Sequence, residues 1–338
     1  MNGPSPASNN SSADGPFEPV ARRTEHFVTL FDDSFLPLGL ALQQSLISHA
    51  PPFHLWVIAV DDAVEEHLHR LALKDLSVIP LRDIETPRLL EVKPGRTRGE
   101  YCWTITPFVC QAVLDRDASA SRATYVDADV FFFDDPRGLL VELDDSGKHV
   151  LITEHAFAPE YDRAHDSGRF CVQFLTFDRS PEARRVMTWW QERCLEWCFA
   201  HYEDGKFGDQ VYLDRWPELF GDVVHVVRQV EKTLAPWNVR HFADRHAHSQ
   251  TALKPVMFHF HGFRLLGPRR ARLYRFYNVG REGDRIYNTY VAAVSESLKT
   301  LQAAGINTTC HALSPERFAL WNRLVRALNR TERYATIP

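Results

Sequence analysis

The sequence predicts an α/β fold: a mixed, mainly parallel sheet flanked by helices, followed by a helical C-terminal extension. Three observations predict it. Strand-like and helix-like segments alternate from residue 26 onward. The strand segments, such as "FHLWVIAVDD" (53–62), are apolar at nearly every position, which means burial on both faces. Several of them also run into acids or histidines, as in "HFVTLFDD" (26–33), "RATYVDADVFFF" (122–133) and "VMFHFHGF" (256–263). In helix-covered parallel sheets, ligands bind outside the carboxyl ends of the strands.

Each element follows from its local pattern. After the first strand, "SFLPLGLALQQSLISHA" has apolar residues at helical spacing. "AVEEHLHRLAL" is helical, "LSVIPLRDI" is a strand, and "TITPFVCQAVLDRD" is a helix leading into 122–133. That segment reads as one strand, on which Asp127 and Asp129 point to the same side. "HVLITEH" (149–155) and "GRFCVQFLTFD" (168–178) are further strands. "SPEARRVMTWWQERCLEWCFAHY" opens with Ser180 as N-cap and Pro181 at the first helical position. Trp189, Trp190 and Trp197 at helical spacing predict core packing. "GDVVHVV" is a strand, and "RIYNTYVAAVSESLKTLQAAG" and "SPERFALWNRLVRALNR" are helices. Asp134 and Asp135, before a proline, read as turn and capping residues.

Residues 1–23, rich in Ser, Asn, Pro and Gly, read as a disordered tail. Residues 24–266 form one catalytic domain in this reading, and 267–338 the extension. The basic run "GPRRARLYR" (267–275) reads as a solvated face, open to an anionic acceptor or a membrane surface.

Composition bounds the function. The chain has 338 residues, 44% hydrophobic, with a formal net charge of −5. This suits a soluble protein with a sizeable core and argues against a duplex nucleic-acid binder. Cys194 and Cys198 have i, i+4 spacing, but no second Cys/His pair with zinc spacing accompanies them. Buried free thiols and a cytoplasmic location are expected. No apolar run approaches the ~20 residues of a membrane span, and the N-terminal stretch lacks the pattern of a secretory signal. At most peripheral membrane contact is expected.

Asp127 and Asp129 can hold a hard divalent cation, Mn²⁺ or Mg²⁺, and leave coordination sites for phosphate oxygens. A neutral imidazole from "FHFHG", His259 or His261, can complete such a site. Surface acids at a strand end and strand histidines without a metal are the alternative.

In this order and setting, the motifs resemble the GT-A nucleotide-sugar transferases, glycosyltransferase family 8 in particular. They are also similar to bacterial proteins of that type associated with surface polysaccharides, through "YVDADVFFF", "EDGKFGDQ", "LAPWN" and "FHFHGF". The resemblance covers residues 26–266. It implies that Asp32, Ser34 and Phe35 of "LFDDSF" meet the base and ribose. It implies that Asp127, Ala128 and Asp129 are the DxD, and that His259 of "HFHG" is the third ligand with His261 as its neighbour. Asp209 and Gln210 of "FGDQ" fall near the reaction centre. Arg264 stands where the family has a diphosphate-contacting lysine.

Two departures bear on specificity. The family's Asn-Ala-Gly run is replaced by Cys171, Val172 and Gln173, which points to a different sugar, and its closing Lys-Pro-Trp is absent.

Three further sets are open at this point. Glu100, Trp103 and Thr104 either line the donor pocket or pack a helix start. Glu154 and His155 are acceptor or donor candidates at a strand end. Trp237 and Asn238 of "LAPWNV" either touch the acceptor or pack.

The implied function is metal-dependent sugar transfer, with retention, from a nucleotide-diphosphate sugar (UDP, GDP or dTDP). The acceptor is a small molecule or glycan, such as a polysaccharide intermediate or a natural product. Gln is a poor nucleophile, so a front-side reaction suits a site without an evident base. A haloacid-dehalogenase-type phosphatase also has a DxDx[TV] motif, which "DADV" fits, but carries it on the first strand. A sugar nucleotidylyltransferase needs an early Gly-rich loop that "TLFDDSFLP" lacks. A non-catalytic sugar-nucleotide binding protein is the remaining alternative.

Overall fold

A computed structural model describes residues 23–311 and 325–337. The expected N-terminal tail (all but residue 23) and most of "SPERFALWNRLVRALNR" lie outside the described residues; 325–328 are helical. In chain order the strands are β1 (Glu25–Phe31), β2 (Phe53–Ala59), β3 (Leu76–Pro80), β4 (Arg122–Val126), β5 (Val130–Phe132), β6 (Val150–Glu154), β7 (Phe170–Asp178), β8 (Val224–Val226), β9 (Thr233–Leu234), β10 (Met257–His259), β11 (Arg264–Gly267), β12 (Arg270–Arg275) and β13 (Glu332–Thr336). The helices are α1 (Leu36–His49), α2 (Asp62–Leu71), α3 (Pro87–Val92), α4 (Arg98–Arg116), α5 (Arg137–Ser146), α6 (Ala164–Ser167), α7 (Pro181–Glu196), α8 (Trp216–Leu219), α9 (Val239–His248) and α10 (Gly280–Ala303).

The central sheet has the order β3-β2-β1-β4-β7-β6-β8. All of its neighbours pair parallel except β7, which is antiparallel to both β4 and β6. Alternation along the strands feeds two cores. Val28, Leu30, Ala123 and Tyr125 face α4 and α7. Phe27, Phe31 and Val126 face α1, α2 and α5. Ser180 caps α7 as expected, accepting from Ala183 N–H at 3.0 Å, and Trp190 is buried in the first of these cores.

The starts of two interior strands, β1 and β4, are held by a buried ion pair. Arg122 of β4 donates twice to Glu25 of β1, at 2.8 and 2.9 Å, and once to Asp144 at 2.8 Å. A bidentate guanidinium–carboxylate pair satisfies the donors and acceptors that burial would otherwise strand.

The expected single strand over 122–133 is two strands. β4 stops at Val126, and β5 belongs to a second sheet, β5-β10-β9. Residues 127–129 form the turn between them, closed by Val130 N–H on Asp127 O at 3.0 Å. The two aspartates therefore converge through turn geometry rather than strand alternation.

The C-terminal region is likewise mixed rather than helical. "RARLYR" is β12, paired with β11 and β13 in a third sheet, and Ala271, Leu273 and Tyr274 are buried with α10. One side of this basic run is thus core, because a strand turns alternate residues inward.

Candidate active site

The loops after β1 and β4, the end of β10 and the start of β7 open onto one cavity of about 590 Å³. The acid-bearing turn lies at its centre. Asp127, Asp129 and His259 offer ligand atoms that all lie within 4.8 Å of one another. His259 Nε2 is 3.2 Å from Asp129 Oδ1 and 3.5 Å from Asp127 Oδ2. Its other nitrogen, Nδ1, is 3.0 Å from Gln173 Oε1. An amide oxygen only accepts, so Nδ1 carries a hydrogen and Nε2 is the nitrogen that faces the carboxylates, where a proton or a cation can join them. This is the arrangement a metal-ligating histidine needs. The β10–β5 ladder and Phe260 N–H on Asp129 O, at 2.8 Å, hold the histidine beside the turn.

Charge in the cluster is unevenly shared. Burial raises Asp127, and the neighbouring Asp129 raises it further against the pull of His259. Burial would raise Asp129 too, but His259 holds it well below the usual carboxylate range. Burial would lower His259, yet Asp129 and Asp127 keep it well above the usual imidazole value. Such a group accepts one positive charge readily, carried either by a proton on His259 or by a cation in its place. Two hard carboxylate oxygens and one imidazole nitrogen fit Mn²⁺ or Mg²⁺. Tyr125 O–H donates to Asp127 Oδ1 at 2.7 Å and fixes that carboxylate.

Twelve of the predicted residues line the cavity: Asp32, Phe35, Trp103, Asp127, Ala128, Asp129, His155, Asp209, Gln210, Trp237, His259 and Arg264. Asp32 forms an ion pair with Arg98 at one end, Oδ2 lying 3.2 Å from Nε. Arg264 lies over the Phe35 ring, 5.2 Å from its centroid. Trp237 stands edge-on to His259 at 5.6 Å, with its Nε1–H on His155 O at 2.7 Å.

Four predicted residues are not among the lining residues, and local bonding explains each. Ser34 donates to Asp32 Oδ1 at 2.7 Å and completes a cap. Thr104 is buried inside α4, with its hydroxyl on Glu100 O at 2.8 Å. Glu154 is paired with Arg169 at 2.6 Å. Asn238 is buried, bridging Ala235 N–H and His155 O. Glu100, also considered above, forms a capping box with Thr97 and accepts from Ala200 N–H at 2.8 Å. It thereby ties the loop carrying Asp209 to the start of α4.

That loop brings Asp209 and Gln210 to the cavity. Gly208 has φ +54°, and a Cβ there would sit 3.4 Å from Trp103. Asp209 is buried, its carbonyl held by Trp190 Nε1–H at 2.8 Å. Burial, with Cys198 and Asp127 nearby, raises its carboxyl well above the usual range and favours the protonated form. Gln210 donates to Ser167 O at 2.5 Å.

Sequence reasoning did not single out Tyr125 or Arg98, and it noted Gln173 only as a departure. Tyr125 carries a readable signal, standing two residues before Asp127 on a strand. Gln173 carries none, since its partner is 86 residues away.

With this geometry in hand, similar proteins can be placed beside the chain. Among solved structures, the galactosyltransferase LgtC, in complex with donor and acceptor sugar analogs, matches with a TM-score of 0.50 and 14% identity. The match covers 80% of this chain and 95% of LgtC. The bifunctional glycosyltransferase WbbM matches with a TM-score of 0.51 and 13% identity over 85% of this chain, which spans about half (53%) of WbbM.

The chain has the GT-A fold.

No family model matches it. Two uncharacterized proteins of Bacillus subtilis (strain 168) are similar to it in sequence. YfnD is 28% identical over 289 residues, covering 83% of this chain and 92% of YfnD. YfnF is 29% identical over 254 residues, covering 72% and 83%. In this GT-A chain the acid–histidine cluster sits outside the carboxyl ends of β1 and β4, where a parallel sheet places its ligands. No described helix is long and apolar enough to cross a membrane.

Proposed function

We propose that this protein is a metal-dependent glycosyltransferase that moves a sugar, with retention, from a nucleotide-diphosphate sugar to a small-molecule or glycan acceptor. The observation that carries the proposal is the convergence of Asp127, Asp129 and His259 in a cavity that also holds Asp32, Phe35 and Arg264. Asp127, Asp129 and His259 would hold Mn²⁺ or Mg²⁺, which supplies charge neutralisation to a diphosphate leaving group. Arg264 adds a guanidinium aimed at phosphate oxygens. Phe35 and Asp32 offer a ring face and an acceptor for base and ribose.

Asp209 lines the same cavity and would hydrogen-bond a sugar hydroxyl. With the charged form of Asp209 disfavoured by burial, and Gln210 occupied by Ser167 O and a poor nucleophile, a front-side reaction fits the site. In it the leaving phosphate takes the acceptor proton. UDP, GDP and dTDP remain candidate nucleotides, and a polysaccharide intermediate or natural product is the acceptor class. A phosphatase reading fits less well: the DxD follows the fourth strand, and its two acids share His259.

The test is a screen of UDP-, GDP- and dTDP-sugars with Mn²⁺ and with EDTA, read by thermal shift and donor hydrolysis. Metal-dependent binding and hydrolysis of one donor is the expected result. Phosphate release from phosphomonoesters with no response to any sugar nucleotide would overturn it.

A further inference from the structure

Three neighbouring segments each bring one basic side chain to a row beside the donor cavity, which Arg264 and Phe35 line. The middle one is Arg264 on β11, which lines the cavity. On one flank β12 pairs antiparallel with β11, and Arg272 is the direct partner of Arg264. Directly opposed residues share one face of the sheet, and like charges there repel. On the other flank the segment ending at His311 pairs with β11. His311 N–H donates to Leu265 O at 2.8 Å, and Leu265 N–H donates to His311 Nδ1 at 3.2 Å.

That second bond fixes the imidazole. Nδ1 accepts, so the hydrogen of the neutral ring is on Nε2. Burial, with Arg264 next, pushes His311 down to about 4, so the ring is neutral at physiological pH. The ring lies edge-to-face on Phe35 at 4.7 Å, and Arg264 lies over the same Phe35. Thr309 N–H on Asp33 Oδ2, at 2.6 Å, ties the segment to the loop after β1.

Both flanking groups keep donors without acceptors. Arg272 Nε and His311 Nε2 are shielded from solvent and have no hydrogen-bond partner among the described residues. The carboxylate nearest in the sheet, Glu332, is engaged by Arg326 at 2.9 Å and by Arg275 at 3.8 Å. Unsatisfied buried donors and opposed guanidinium groups cost stability unless an anion joins them.

We propose that Arg272 and His311 flank Arg264 in an oxyanion subsite that takes the diphosphate of the donor, beyond its contact with the metal. The assignment rests on the nucleotide-sugar reading above. A diphosphate is the anion this row fits, since its oxygens accept from several donors at once and the row adjoins Asp129 and Phe35. The shared chemistry is a phosphate oxyanion, whose source is either the donor nucleotide or a phosphate-bearing acceptor.

Calorimetric titration of the full chain separates these sources. Wild type, Arg272→Gln, His311→Ala and His311→Gln are each titrated, in Mn²⁺, with UDP, GDP, dTDP, the matching nucleosides and inorganic pyrophosphate. Circular dichroism and melting temperature confirm that each variant is folded. Arg272→Gln and His311→Ala should each weaken the nucleoside diphosphate and pyrophosphate about tenfold, the effect of a lost charge-assisted hydrogen bond. Nucleoside binding should not change, and His311→Gln, which keeps a donor, should recover most of the loss. Affinities within twofold of wild type in folded variants overturn the proposal. So does an equal loss for nucleoside and diphosphate, which would place the contacts on base or ribose. Pyrophosphate binding that depends on Arg272, in a protein that binds no nucleotide, sustains the subsite, assigns it to a phosphate-bearing acceptor and sinks the donor reading instead.

Discussion

His259 Nδ1 hydrogen-bonds Gln173 Oε1 at 3.0 Å, and this contact orients the imidazole on which the acid cluster converges. It links β10 to β7 across 86 residues. Gln173 belongs to the Cys171–Gln173 run noted as a departure in the sequence, so that run has a structural role beside His259.

Gln173→Leu removes the acceptor with little change in volume. Loss of such an outer partner weakens metal affinity by roughly 10- to 100-fold. Mn²⁺ titration should show that loss, with the melting temperature within a few degrees of wild type. Gln173→Glu, which keeps an acceptor, should bind Mn²⁺ at least as well as wild type.

Gly208→Ala tests the loop that delivers Asp209. The left-handed backbone there strains any side chain, although a Cβ would only reach van der Waals contact with Trp103. A cost of about 1 kcal/mol is expected. Donor hydrolysis should fall several-fold while Mn²⁺ binding is retained, because the acid–histidine cluster lies on other elements. Equal loss of both would show that the loop and the cluster are not separable.

Tyr125→Phe deletes the hydroxyl that donates to Asp127 Oδ1. Its packing against α4 stays, so the fold should persist with a loss of about 1 kcal/mol. The KM for Mn²⁺ should rise, and excess Mn²⁺ should restore turnover.

Glu25→Gln breaks the buried pair with Arg122 and should destabilise the protein by about 3 kcal/mol. The pair also predicts a pH dependence. Burial opposes ionisation of Glu25, but the Arg122 hydrogen bonds and charge hold its folded pKa below 4.5. A depressed folded pKa means that the unfolded chain binds more protons between the two values. The stabilisation is therefore complete above about pH 4.5 and is lost as pH falls below it, through the folded value. Urea unfolding of wild type and Glu25→Gln from pH 7 to pH 3 should show the difference between them shrinking with acid.

Much of the fold was legible because its signals are local. Apolar runs marked β1, β2 and β7, and Ser180 with Pro181 marked the start of α7. The break between Val126 and Val130 was not legible. "YVDADVFFF" has strand-forming residues on both sides, and only pairing of β5 with β10, more than a hundred residues on, shows that the chain changes sheets. The strands β11 and β12 were hidden by their arginines, which read as solvated while Ala271 and Leu273 turned inward. Within the site, Asp127 and Asp129 were readable from residue type and a strand end, while the residues alone left His259 and His261 open and the resemblance picked His259. Ser34, Thr104 and Asn238 were not separable from lining residues, since a capping or bridging hydrogen bond leaves no mark in the sequence. The contact that orients His259, from Gln173, joins segments 86 residues apart through the fold alone.

The central claim is that Asp127, Asp129 and His259 hold a divalent cation to which the donor diphosphate binds. Calorimetric titration of Mn²⁺, with and without the preferred nucleoside diphosphate, into wild type, Asp129→Ala and His259→Ala tests it most directly. The account predicts one Mn²⁺ per wild-type chain, bound more tightly with the nucleotide, and roughly a hundredfold or greater loss in either variant. Mn²⁺ bound equally by wild type and both folded variants, or full sugar transfer in EDTA, would contradict it.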